Sequence, residues 1–275
     1  MQWSFSADVR RAHAVLASNC FYPLAVCSVL SLGFLVTRFG FTGSMRYRFL
    51  VWNLFLAWVP YGCAVALSWL NEEETRRERR GYTKRFAELA QVALATMWLV
   101  TFPNAPYILT DLVHLWRPSG FAFWYDLAMI LAFALAGVMA GVASMRVVHR
   151  TISSLAGPTL GPILGYVTMI GAAMLSGVGI YVGRVLRWNS WDLIVRPHIL
   201  LPQFASAALQ PWNNRHAVAF SILFGLLFAV IYLLTADVTY EATNLVVNFV
   251  RIEHTTRPAP TGLLISKENF DYRRR

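Results

Sequence analysis

Three stretches of this 275-residue chain hold most of its polar and aromatic side chains: Thr101-Phe-Pro-Asn-Ala-Pro-Tyr-Ile-Leu-Thr-Asp-Leu-Val-His114, Trp124-Tyr-Asp126, and Gly179 through Asp192. Asp111, His114 and Asp126 are the candidate catalytic groups, since a carboxylate beside an imidazole can pass protons or share a divalent metal. Asp-x-x-His alone is too short a signal to assign a metal, so none is assigned, and no cofactor is specified. Arg184 and Arg187, about one helical turn apart, could grip a phosphate or carboxylate. Asn104, Tyr107, Tyr125, Tyr181, Asn189 and Asp192 complete the candidate ligand-binding set. Each also has a plainer role. Asp111 and Asp126 could simply neutralise Arg184 and Arg187, Asn104 could cap a helix, and the tyrosines could be interfacial anchors. No nucleophile elbow, phosphate loop or His-Glu-x-x-His is present.

The local sequence says how these groups would be presented. Pro103 and Pro106 each lack a backbone donor, so the helix before them is expected to break, with Asn104 capping a new segment. A helical period from Ala105 to Leu115 puts Tyr107, Asp111 and His114 on one face, with Ile108, Leu112 and Leu115 on another. Trp116-Arg-Pro-Ser-Gly120 is turn chemistry. It folds that segment back as a hairpin, which sets Asp111 beside Tyr125 and Asp126. Tyr181, Arg184 and Arg187 arrive at the same side from a later apolar run.

The chain is 57% hydrophobic and 14% charged, with mean hydropathy +0.49. An average soluble domain is about 25% charged, so a soluble globule, a disordered chain and a disulfide scaffold are all excluded. Six apolar runs are long enough to cross a bilayer: Asn19–Thr37, Phe49–Leu70, Phe86–Phe102, Phe121–Met145, Leu160–Gly183 and Ala217–Ala236. They are continuous rather than alternating, which argues for helices over a barrel. The expected fold is all-α, a six-span membrane bundle with a Pro-broken third helix. Residues 1–236 would form the membrane domain. Residues 237–275 would form a cytoplasmic amphipathic helix and basic tail, from the stripe Val238, Ala242, Leu245, Phe249 and Ile252. The GxxxG pairs Gly137/Gly141, Gly161/Gly165 and Gly179/Gly183 should let the fourth and fifth spans approach closely.

The net charge of +10 reads as a topology signal rather than as nucleic-acid binding. With six spans, sixteen of the twenty-four basic residues fall on the side of the termini, which places both termini in the cytoplasm. Cys20, Cys27 and Cys63 lie in apolar segments with no metal spacing. The first apolar run lacks a cleavage site and should remain as an anchor.

The segments 102–112, Trp124-Tyr-Asp126 and Gly183-Arg-Val-Leu-Arg-Trp-Asn-Ser-Trp-Asp192 resemble the signature of the domain-of-unknown-function 1361 family. The likeness covers the second to the sixth run. It implies a multi-pass protein of the bacterial inner membrane and brings no activity with it.

Function must then come from the residues. Opposite charges gathered beside a cavity-forming helix break point to a polar pocket on the outer-leaflet side. That pocket would bind or process an anionic lipid or lipid-linked substrate, with the bilayer as the other partner. Arg184 and Arg187 would hold the headgroup, while Asp111 and His114 handle protons. The alternatives are a small-solute or ion transporter, disfavoured by the scarcity of charge in the cytoplasmic halves of the runs, and a non-catalytic accessory subunit.

Overall fold

In the computed structural model, residues 19–78, 85–115, 120–188, 195, 198, 202 and 212–256 are described. Among them every regular element is a helix. In chain order these are α1 (Phe21–Thr42), α2 (Phe49–Glu78), α3 (Arg85–Thr101), α4 (Asn104–Tyr107), a 3-10 segment (Ile108–Leu115), α5 (Gly120–Arg184) and α6 (Arg215–Thr256). Five stretches are long and apolar enough to cross a bilayer: Phe21–Thr42, Phe49–Glu73, Ala87–Leu115, Ala122–Arg184 and Arg215–Thr235. Met1–Leu233 and Leu234–Arg275 form separate compact units. The side chains of the tail stripe from Val238 to Ile252 lie outside the described residues.

α5 is 65 residues long and is interrupted at Gly157, whose φ of 80° and ψ of 178° are not helical. Only glycine occupies that region readily, and the following Pro158 disfavours helical backbone at the residue before it. Gly157 therefore separates a first arm, residues 120–156, from a second, residues 158–184.

The main core joins α2, α3, both arms of α5 and the start of α6 through Leu67, Trp98, Phe102, Met145, Met169 and Phe228. A second cluster sets Tyr47, Leu50 and Leu54 against Ile108, Met129, Ile130 and Phe133. Apolar packing gives little preference between neighbours in lipid, so polar contacts help choose them. Trp58 Nε1 donates to Ser28 Oγ at 3.0 Å. Trp98 Nε1 donates to Ser144 Oγ at 3.3 Å. His149 Nδ1 and the Tyr232 hydroxyl are hydrogen-bonded at 2.5 Å.

The glycine pairs do more than join the arms. A Cβ on Gly137 would stand 2.3 Å from Ile108 Cγ2, and one on Gly141 would stand 3.1 Å from Ala105 Cβ. A Cβ on Gly179 would meet the Pro103 ring at 2.5 Å, and one on Gly183 would meet the Tyr107 ring at 3.1 Å. Two of the three GxxxG pairs thus cradle residues 103–108 from opposite arms. The third pair fits the simpler expectation of one arm meeting the other, since a Cβ on Gly161 would stand 2.4 Å from the Ser153 carbonyl oxygen and one on Gly165 would stand 2.2 Å from His149 Cδ2. The cradle explains how a proline-rich segment sits in the interior: Ala105, Pro106 and Ile108 are all buried within it.

Candidate functional site

α3 ends at Thr101, and the backbone from Pro103 (φ −57°) to Ile108 (φ −59°) stays in the right-handed helical region. The chain tightens instead of unravelling: the Ala105 amide bonds to the Phe102 carbonyl at 3.1 Å, and Ile108–Leu115 winds as a 3-10 helix. Asn104 does not cap the new segment. Its amide donates back to the Thr101 carbonyl at 2.9 Å, satisfying an acceptor left over at the end of α3. The 3-10 winding also redistributes the faces. Three residues per turn bring Ile108, Asp111 and His114 into line, where an α-helical period had grouped Tyr107 with Asp111 and His114.

Asp111 is wholly buried. Its Oδ1 accepts from Arg184 Nη2 at 2.5 Å, and its Oδ2 accepts from Asn53 Nδ2 at 2.7 Å. Arg184 Nε donates to Thr110 Oγ1 at 2.8 Å, and the guanidinium carbon lies 4.7 Å from the Tyr107 ring centroid. Thr110 in turn donates to the Tyr107 carbonyl at 2.7 Å, which turns its oxygen lone pairs toward the guanidinium. Three residues within the five from Tyr107 to Asp111 therefore hold one arginine by ring face, hydroxyl and carboxylate.

His114 flanks the same carboxylate. Its Nδ1 is 3.1 Å from the Asp111 carbonyl oxygen and 3.9 Å from Oδ1, and its ring lies 4.6 Å from that of Phe49. The side chain is 40% exposed, against 21% for Arg184. Arg184 Nη1 makes no hydrogen bond among the described residues. Among the described residues, two polar groups with spare capacity thus border a carboxylate whose oxygens each accept one hydrogen bond.

Asp126 belongs elsewhere. The hairpin count placed it beside Asp111, but its carboxylate is taken in two-pronged fashion by Arg38 of α1, Nε to Oδ1 at 2.5 Å and Nη2 to Oδ2 at 3.1 Å. The Tyr47 hydroxyl, between α1 and α2, donates to Oδ2 at 2.9 Å, and the Arg38 guanidinium covers the Tyr47 ring at 4.5 Å. Burial, and then the bond to Asp126, push the Tyr47 phenol above its ordinary value. Tyr125 donates to the Phe34 carbonyl at 2.8 Å, a second tie between α5 and α1. The two acids therefore form two separate clamps rather than one carboxylate pair.

The remaining candidates scatter. Tyr181 packs edge-on against Phe220 at 5.7 Å. Arg187 is exposed and left-handed (φ 59°), ending the helix, with the Trp188 amide reaching back to the Val182 carbonyl at 3.2 Å. It is consequently not one helical turn above Arg184, because α5 stops between them. Asn189 and Asp192 lie outside the described residues. Sequence reasoning missed Arg38, Tyr47 and Thr110. Arg38 stood out only as a charge at the edge of an apolar run, and nothing local linked it to a partner eighty-eight residues away. Asn53, a lone amide in an apolar run, was a visible signal. Among the described residues no group of three His, Cys, Asp or Glu side chains could hold a metal.

Long apolar helices, ion pairs between helices and an all-helical core among the described residues define a multi-pass membrane protein. Residues 52–231 match the family model described as "Protein of unknown function (DUF1361)", and the chain belongs to that family. No curated protein and no solved structure matches it.

Proposed function

We propose that this is a six-crossing protein of the bacterial inner membrane, with both termini cytoplasmic, that binds an anionic amphiphile at Arg184 and His114. The sixth crossing rests on α5. At 1.5 Å per residue, 65 helical residues would run roughly 100 Å, three times the hydrocarbon thickness. The bend at Gly157 supports two crossings in its place. The turn from α3 into α4 supports a Pro-broken third span. The basic side of the loops supports the orientation. Fusions of alkaline phosphatase and of green fluorescent protein after residue 157 test the count: fluorescence without phosphatase activity is expected, and the reverse overturns it.

One observation carries the binding reading. Arg184 is fixed by Thr110, Asp111 and Tyr107, yet among the described residues it keeps one nitrogen unspent, and a fifth of its side chain is exposed. A guanidinium held in place loses little freedom when an anion arrives. Its level near a span end suits the headgroup of a lipid or lipid-linked substrate, and His114 beside it can hold or supply a proton. Native mass spectrometry of the purified chain tests this. Anionic lipid should co-purify with the native protein and be lost from a folded Arg184→Lys variant, which keeps the charge without the fork. An identical lipid profile in both refutes it.

A second reading has its own support: Asp111 is sealed with both oxygens satisfied, as a purely structural clamp requires. Exchanging Asp111 and Arg184 separates the two. Restored folding with restored lipid retention favours a clamp alone. Restored folding without retention favours the site.

A further inference from the structure

The binding reading leaves a question of charge. Arg184 contributes one positive charge, and the buried carboxylate of Asp111 against it contributes one negative. An anion approaching Nη1 therefore meets good hydrogen-bond donors but no net attraction from the pair. Arg38 supplies none either, since Asp126 neutralises it in the same way.

His114 is placed to supply the missing charge. The Asp111 carbonyl can only accept, so Nδ1 at 3.1 Å carries the ring proton, and Nε2 is the nitrogen left with a lone pair. The ring does not swing freely, because it rests on Phe49 at 4.6 Å. The charged neighbours can be named. Its own segment contributes Asp111, and the second arm of α5 contributes Arg184. α2 contributes Phe49 and Asn53, both neutral. Tyr47 lies beyond Phe49 at 6.3 Å, with its hydroxyl given to Asp126. Arg184 and His114 thus approach one and the same oxygen, Asp111 Oδ1, from different helices. Both groups therefore flank one carboxylate oxygen, so a charge on His114 acts on any anion that settles against Arg184.

We propose that His114 makes anion binding at this site proton-linked: as a phosphate- or carboxylate-bearing ligand settles against Arg184, one proton from water enters His114 Nε2. The bound state then holds two positive charges against Asp111 and the ligand. The inference rests on the binding reading above and adds to it the regulation of the site. Affinity should fall as pH rises, by up to tenfold per pH unit for one linked proton.

Calorimetry on the full chain in zwitterionic nanodiscs tests it, with dihexanoyl phosphatidic acid and inorganic phosphate as separate probes. Each titration is run in two buffers of different ionisation heat, so that protons taken up per ligand are counted. Across the pH series the native protein should take up part of one proton per ligand and lose affinity toward high pH. A His114→Gln variant should bind more weakly with no uptake and a flat pH profile. His114 is substantially exposed, so that variant is expected to fold, and thermal unfolding confirms it. Binding of the short-chain lipid alone identifies a headgroup ligand, and equal binding of phosphate identifies a free anion. Either supports the proposal if the proton is taken up. Binding without uptake, or uptake that persists in His114→Gln, overturns the proposal and leaves the binding reading standing. No binding of either probe at any pH overturns both.

Discussion

Replacing Arg184 by glutamine should damage the protein more than replacing Asp111 by asparagine, although each change removes one member of the same ion pair. The asymmetry follows from burial. Asp111 is sealed, whereas Arg184 keeps 21% of its side chain accessible. In Arg184→Gln the carboxylate keeps the hydrogen bond from Asn53, with His114 Nδ1 at 3.9 Å and no arginine. It must either stay charged in a dry interior or take a proton. Protonating an ordinary carboxylate at pH 7 costs about 4 kcal/mol, and this escape limits the electrostatic loss. Losing the Thr110 bond and the Tyr107 stacking adds about 1 kcal/mol more. In Asp111→Asn, Arg184 keeps both of those contacts and can reach water, so the loss is about 1–2 kcal/mol. The double variant should recover part of the deficit, with a coupling of at least 2 kcal/mol. Polar pairs in a membrane protein average nearer 0.6 kcal/mol in such cycles. The assay is unfolding of all four proteins in detergent micelles at pH 7 and pH 5. Because proton uptake sets the limit, the Arg184→Gln deficit should shrink by up to about 2.7 kcal/mol on acidification, while that of Asp111→Asn stays constant. Equal losses in the two single variants, a coupling near 0.6 kcal/mol, or a deficit that grows at pH 5 would refute the argument.

The remaining predictions concern backbone and pH. Gly179→Ala would set a Cβ 2.5 Å from the Pro103 ring, which cannot rotate aside, and should cost about 1–3 kcal/mol in thermal unfolding. Gly62→Ala and Gly171→Ala, with nothing within 4 Å, should be neutral or gain up to about 1 kcal/mol in the same assay. Gly157→Ala forces an alanine to a φ near 80° and should lower folded yield, measured by size-exclusion chromatography, by a strain of about 1–3 kcal/mol. The Tyr47 phenol is held above its ordinary value, so the folded state keeps a proton that the unfolded chain gives up near pH 10. Its contribution is therefore complete below about pH 10 and is lost as pH rises through the folded-state value. Tyr47→Phe should be less stable at pH 8, having lost the bond to Asp126, and should show a shallower decline above pH 10.

Much of the site's inventory was legible in the residues. Asp111, Arg184 and Tyr107 stand together, and the lone Asn53 joins them. The partner of Asp126 was not legible. Counting back from the turn at residues 116–120 gives a level along the hairpin but no rotation about the helix axis, and rotation decides whether a side chain meets α1 or α5. Asn104 failed for a different reason. The chain tightened through Phe102 and Pro103 without leaving right-handed backbone, so no free N-terminus formed for it to cap.

Composition and run length alone determine that this chain lives in a bilayer as helices, because lipid offers no partner for an unpaired peptide group. Which charge neutralises which is settled only by the packed bundle. Lipid-facing surfaces are nearly interchangeable, so a carboxylate's partner is chosen by the close approach that glycines 137, 141, 179 and 183 permit around residues 103–108, a property of three helices at once.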